Sequence, residues 1–340
     1  MEPNFSETEL KASRVAVLGA GAWGGTLAWL LASAGKKVSL WGRSQEKMKS
    51  LRESGSLPDP LPVPIPAELH LTADLADAIS GARLIIVATS SQSMKAVAAS
   101  LVDAGAARGT LVVSAAKGLS METLERMSEV IESNLPGSCA LALSGPNLAF
   151  EIRSGLPTAA VVACADLEKA RVVQECLSVR TLRLYAADDI AGVELGGTLK
   201  NIIAIAAGAS DGLDLGVNAK AALMTRGLAE MVRLAVRLGA SPATLYGLSG
   251  MGDLIATCQG PLSRNYRLGK SLAAGRDLDA ALAEVGSCVE GVATTRAVCE
   301  LSQKLAIELP IARQVRSTLD GEVTPAESIM ALMKRPLVTE

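Results

Sequence analysis

The stretch RVAVLGAGAWGGTLAWLLASA, residues 14–34, constrains the fold of this 340-residue chain more than any other. It opens with an apolar run, residues 15–18, short enough for a buried strand. Gly19, Gly21 and Gly24 follow in GxGxxG spacing, and residues 26–34 then read as a helix rich in Ala and Leu. Each glycine answers a separate requirement. The first turns the chain sharply out of the strand. The second lets backbone N–H groups approach a pyrophosphate, and the third lets helix and strand pack closely. The bound anion then lies on the positive end of the helix dipole. A second apolar strand at residues 37–41 completes a βαβ unit of roughly the ~30 residues expected for dinucleotide binding.

Strand and helix patterns keep alternating downstream. Residues 44–54 read as a charged helix. Pro58, Pro60, Pro62, Pro64 and Pro66 then force an extended path that serves either as a flap near the cofactor or as a plain connector. Apolar strands are expected near 69–71, 82–88, 110–114, 138–143, 158–163 and 180–186. Helices are expected at 74–80, 92–104, 121–135 and 167–178. From residue 189 onward no strand pattern remains, and helices are expected at 190–209, 217–238, 264–274, 277–285, 291–306, 310–319 and 325–334. The fold class is therefore an α/β, Rossmann-like, doubly wound and mostly parallel sheet followed by an all-α C-terminal domain. The expected division is a disordered tail at 1–13, a dinucleotide-binding domain at 14–190 and a helical substrate and catalytic domain at 191–340.

Composition narrows the function classes. A formal net charge of -2 and 2% aromatic residues disfavour nucleic acid, which calls for a basic face or stacking platforms. Cys139, Cys164, Cys176, Cys258, Cys288 and Cys299 form no CxxC pair, so reduced, buried thiols and no metal site are expected. No uninterrupted apolar run reaches the ~18 residues of a membrane span, and no signal-peptide pattern opens the chain. A cytoplasmic location without a membrane partner is expected. His70 is the only histidine, which moves acid–base chemistry to other residue types.

Polar residues at the carboxyl ends of sheet strands mark ligand sites in open α/β folds. Lys117 and Ser144-Gly145-Pro146 fall there. After the second predicted strand, Trp41-Gly42-Arg43-Ser44 lacks the acid that would take a ribose 2′-hydroxyl. Arg43 suits a 2′-phosphate instead, favouring NADP(H) with NAD(H) still possible. Lys200 stands in the apolar helix GGTLKNIIAIA, where burial and a second lysine would bring its pKa toward neutrality. Asp253 is expected on a tight loop, GMGDL. Ser263-Arg264-Asn265 opens a helix and reads either as a phosphate site or as an ordinary Ser263 cap.

Taken together, GAGAWG (19–24), WGR (41–43), AAKG (115–118), SGP (144–146), GLPTA (155–159), GGTLKN (196–201), AGASDGL (207–213), TRGLAEM (225–231), GMGDL (250–254), SRN (263–265) and VEG (289–291) make the chain resemble bacterial-type NAD(P)-dependent glycerol-3-phosphate dehydrogenases. The resemblance spans nearly all of residues 14–330. It implies hydride transfer between NAD(P)H and dihydroxyacetone phosphate, giving sn-glycerol 3-phosphate for glycerophospholipid synthesis, in a homodimer. It also implies that Lys200 is the proton donor, Lys117 lies between cofactor and substrate, and Asp253 holds the catalytic lysine. Gly145 and Asn147 fall on substrate positions, as do Ser263, Arg264 and Asn265 for the phosphate. Ala22, Trp23, Arg43, Ala149, Arg264, Cys288 and Glu290 fall on cofactor positions. Asn147 replaces the family's usual Thr or Ser, Phe150 stands where a charge is common, and Cys288 where valine is common. Two other readings remain at this level. One is a dehydrogenase of the same architecture for another phosphorylated or hydroxyacid substrate. The other is a non-catalytic NADP(H)-binding regulator.

Overall fold

The computed structural model describes residues 13–286 and 288–336. Nearly all of the expected tail, residues 1–12, lies outside the described residues. β1 (Arg14–Leu18) leads through the glycine turn into α1 (Ala22–Ser33) and β2 (Val38–Trp41), then α2 (Gln45–Ser54). The short strands β3 (Ser56–Leu57) and β4 (Val63–Pro64) precede β5 (Leu69–Thr72), α3 (Leu75–Ile79) and β6 (Ala82–Val87). There follow α4 (Met94–Asp103), β7 (Leu111–Ser114), α5 (Met127–Asn134), β8 (Cys139–Ser144), α6 (Ala149–Arg153), β9 (Thr158–Ala163), α7 (Leu167–Leu177) and β10 (Leu182–Ala187).

Eight strands form one sheet in the order β10-β9-β8-β7-β6-β1-β2-β5. Six run parallel. β9 reverses direction, with Ala142 opposite Ala163 and Ser144 opposite Val161, and β10 runs parallel to β9. Alternate residues serve opposite faces: Val15, Val17, Leu84 and Ile86 enter one core, and Ala16, Leu18, Ile85 and Val87 the other. Coverage of both faces explains the unbroken apolar strands. The chain leaves β1 toward β2 and β5, then crosses back to β6. The switch point of the sheet therefore lies between β1 and β6, where the glycine turn sits.

The helical region begins with α8 (Ile190–Gly212), α9 (Gly216–Arg237) and α10 (Pro242–Leu245). It continues with α11 (Asp253–Cys258), α12 (Arg264–Ala273), α13 (Leu278–Val285), α14 (Glu290–Lys304), α15 (Pro310–Leu319) and α16 (Pro325–Met333). Asp189 caps α8 by accepting from the Gly192 N–H at 2.8 Å. α8 is apolar on most sides because it is the core helix; 83% of its most apolar window is buried. At Gly208 and Gly269 the backbones of α8 and α12 touch, since a Cβ on either would overlap a carbonyl of the other helix. That contact sets the SRN segment beside Lys200.

Some expected elements change. Residues 121–126 are not helical; Leu119 bridges Arg126 and Leu124 has φ 63°, so the helix starts only at Met127. The start is fixed by Arg126, held by Glu129 at 2.7 Å and Glu194 at 2.8 Å. The proline stretch is extended as expected, but Val63–Pro64 pairs with Ser56–Leu57 as a small ribbon. Arg153 fastens that ribbon: its Nη1 donates to Leu57 O and Leu61 O, both at 2.9 Å, and its Nε to Thr26 Oγ1 of α1, also at 2.9 Å. The GMGDL segment is not a loop. A π-helical turn at Leu248–Gly252 runs directly into α11. His70 lies on edge strand β5, its Nε2 2.7 Å from Asp77 Oδ2.

Candidate active site

The glycine turn has the geometry its spacing predicts. Gly19 has φ 119°, and a Cβ there would come within 2.7 Å of Ala88 O at the end of β6. A Cβ on Gly24 would run into the Gly19 carbonyl, so the helix packs against the turn only without one. A Cβ on Gly21 would meet nothing within 4 Å, and α1 has no side-chain cap. α1 thus starts, at Ala22 and Trp23, without a side-chain cap and beside the open space at Gly21, at the sheet's switch point, which fits a dinucleotide pyrophosphate. Arg43 is exposed just past β2.

A second constellation forms where the sheet meets the helices. Lys117, just beyond β7, donates from Nζ to Asp253 Oδ2 at 2.6 Å and to Gly145 O at 3.1 Å. Lys200, at mid-length in α8, donates to Asp253 Oδ1 at 2.5 Å and to Thr257 Oγ1 at 2.5 Å. One carboxylate therefore bridges two ammonium groups. Asp253 is 2% exposed and Lys200 6%. Burial pulls the Lys200 ammonium down to about 8; the Asp253 carboxylate opposes this and the Lys117 charge adds to it. The two glycines before Lys200 permit the approach. A Cβ on Gly197 would overlap Ser144 Oγ at the end of β8.

Amide side chains tie this centre to the SRN segment. Asn201 Nδ2 donates to Lys117 O at 3.4 Å, and Asn265 Nδ2 donates to Asn201 Oδ1 at 2.8 Å. Asn265 Oδ1 in turn accepts from the Gly291 N–H at 3.1 Å. Ser263 Oγ accepts from the Tyr266 N–H at 3.2 Å, so its hydroxyl caps α12. Arg264 is exposed and donates to Cys288 O at 2.7 Å. Glu290 accepts from the Ser91 N–H at 3.3 Å; burial raises its pKa, against the pull of that amide and of the Arg264, Lys117 and Lys200 charges. Cys288 itself is exposed, and Ala149 opens α6.

The structure thus gathers Lys117, Lys200, Asp253 and Gly145 at one point, with Asn265 and Glu290 joined to it through Asn201 and Gly291. The fingerprint residues and Arg43 occupy the β1–β2 end of the same sheet edge. Beside the lysines, Ser144 Oγ, Ser249 Oγ and both amide atoms of Asn147 are buried without a protein partner. Buried polar groups of this kind fit a polar ligand. Sequence reasoning missed Thr257 and Asn201. Thr257 lies four residues after Asp253, on the same helical face, a signal that exists only where GMGDL runs on as helix and not as the expected loop.

The comparisons with known proteins match this geometry in extent. The family model described as NAD-dependent glycerol-3-phosphate dehydrogenase N-terminus covers residues 14–170, and its C-terminus counterpart covers residues 189–330. A protein of Moorella thermoacetica, named glycerol-3-phosphate dehydrogenase [NAD(P)+], is 46% identical over 327 residues, spanning 96% of this chain and 97% of the relative. One of Thermoanaerobacter with the same name is 42% identical over 322 residues, spanning 95% and 97%. The crystal structure of glycerol-3-phosphate dehydrogenase from Coxiella burnetii superposes with a TM-score of 0.91 at 37% identity, covering 96% of this chain and all of that one. Sheet, helical core and sequence therefore agree, and the chain belongs to the NAD-dependent glycerol-3-phosphate dehydrogenase family.

Proposed function

We propose that this protein reversibly reduces dihydroxyacetone phosphate to sn-glycerol 3-phosphate, supplying glycerophospholipid synthesis. The observation that carries the reading is the Asp253 carboxylate shared by Lys117 and Lys200 at the sheet's carboxyl edge. NAD(P)H, when bound, supplies the hydride to C2 of the ketone. Gly19, Gly21, Ala22, Trp23 and Gly24 hold the pyrophosphate, Arg43 takes a 2′-phosphate, and Ala149, Arg264, Cys288 and Glu290 line the remaining cofactor path. Lys200 neutralises the charge that grows on the substrate oxygen and donates a proton to it. With a pKa of about 8 its ammonium is largely charged at neutral pH yet gives up its proton readily. Lys117 adds positive charge beside the same oxygen, and Asp253 fixes both side chains. Gly145 and Asn147 contact the substrate. Ser263, Arg264 and Asn265, with the first amides of α12, anchor its phosphate, which orients the ketone remotely from the reacting carbon. A homodimer in the cytoplasm, with the domains dividing at residue 190, completes the reading.

The test is oxidation of NADPH and of NADH on addition of dihydroxyacetone phosphate. Substrate-dependent oxidation that Lys200→Ala abolishes, with NADPH still quenching tryptophan fluorescence in the variant, supports the assignment. Turnover that survives Lys200→Ala overturns it.

A further inference from the structure

The adenosine end of the fingerprint carries a second cation beside Arg43. Lys47 lies on the first turn of α2, four residues after Arg43. Its Nζ donates to the carbonyl of Ala20 at 2.8 Å, so the side chain crosses from the β2–α2 junction to the glycine turn. The two junctions are closely packed: a Cβ on Gly42 would come within 3.0 Å of Ala20 Cβ, and Met48, one residue after Lys47, is fully buried beneath. The ammonium therefore has a fixed anchor at its root. Ala20 O uses one of its three donors. Among the described residues no carboxylate pairs with Lys47, whereas Lys49 on the same helix reaches Glu53 at 3.7 Å. The carboxyl end of β2 is where a dinucleotide's adenosine ribose is read, and residues 41–44 hold no acid for a 2′-hydroxyl.

We propose that Lys47 is a second 2′-phosphate contact and, with Arg43, determines selectivity for NADPH over NADH. This rests on the dinucleotide use proposed above and on Arg43 as its reader. The two cations divide the work by their chemistry. Arg43 presents a planar fork to two phosphate oxygens. Lys47 is a point charge latched over the turn, with its remaining donors free to take a third oxygen. A ribose 2′-hydroxyl offers neither the charge nor the extra acceptors, so the latch adds nothing to NADH binding.

The test compares wild type, Lys47→Met, Lys47→Arg and Arg43→Ala. The readouts are kcat/KM for NADPH and NADH and inhibition by 2′,5′-ADP against 5′-AMP. Lys47→Met is expected to lower the NADPH/NADH selectivity ratio about tenfold, through KM, and to weaken 2′,5′-ADP relative to 5′-AMP by a similar factor. Lys47→Arg restores both. Equal losses for the two cofactors make Lys47 a structural latch on Ala20 and overturn the proposal. If Arg43→Ala erodes the preference for 2′,5′-ADP and Lys47→Met does not, Lys47 alone is misassigned. If wild type binds 2′,5′-ADP no better than 5′-AMP, the 2′-phosphate reading falls for both residues.

Discussion

Replacing Asp253 by Asn removes the negative charge that two ammonium groups share while keeping the size of the side chain. The Lys200 and Lys117 nitrogens lie 2.5 and 2.6 Å from its two oxygens. For unit charges about 4 Å apart, an effective dielectric constant of about 20 gives ~4 kcal/mol. That corresponds to ~3 pKa units on the lysine that loses its partner. Lys200 already titrates at about 8, and Asp253 is the charge holding it up. In the variant the carboxylate is gone and the repulsion from Lys117 remains, so the Lys200 pKa falls by roughly one to three units. In the proposed mechanism, reduction of the ketone needs the protonated lysine. Wild-type kcat is therefore expected to be flat below pH 8 and to decline above it. The variant's decline begins correspondingly lower, costing roughly 2- to 100-fold at neutral pH through the lost protonated fraction, with a partial recovery in acid. Full pH–rate profiles under saturating substrates, with circular dichroism to verify folding, decide the matter. A descending limb still near pH 8 in Asp253→Asn would refute the electrostatic argument.

Three further outcomes follow from individual contacts. Thr257→Val leaves Lys200 with one polar partner fewer in a buried site, and kcat should drop by about tenfold with little change in KM for NADPH; an unchanged kcat in steady-state assays would show the hydroxyl to be idle. Gly197→Ala drives a methyl into Ser144 Oγ, so that either the hydroxyl turns aside or α8 shifts, and should cost about 1–3 kcal/mol in urea unfolding, whereas wild-type stability would show that the contact yields freely. Glu230 caps α15 through the Ile311 and Ala312 amides, and burial raises its carboxyl from 4.5 to about 7. The folded state then binds the proton more tightly than the unfolded chain. Its contribution is full below pH 4.5 and is lost as pH rises through 7, so wild type should lose about 3 kcal/mol relative to Glu230→Gln across that window. A difference independent of pH in paired urea titrations would contradict this.

Much of this structure is legible in the sequence because its signals are local. The glycine turn, the apolar strands and the caps at Ser44, Asp74 and Asp166 are each set within a few residues. What escaped depends on distant partners. Strand β9 is apolar on both faces, and such a run reads the same in either direction, so its reversal against β8 was invisible. The late start of α5 is fixed by Glu194, far along the chain. Arg153 looks like a helix-surface cation until Leu57, Leu61 and Thr26 surround it. At the site, the lysines and the aspartate stood out by type and surroundings. The bridging of both lysines by one carboxylate is a tertiary fact, as is the Asn201–Asn265 relay.

In the proposed reaction this lysine–carboxylate–lysine centre protonates a phosphorylated ketone as hydride arrives. Its most direct test is the rate of NADPH oxidation with dihydroxyacetone phosphate against unphosphorylated dihydroxyacetone, measured across pH. Rapid oxidation is expected with the phosphorylated ketone alone, declining above pH 8. Protein that binds NADPH yet oxidises none with dihydroxyacetone phosphate, or that turns over both ketones equally, would contradict it.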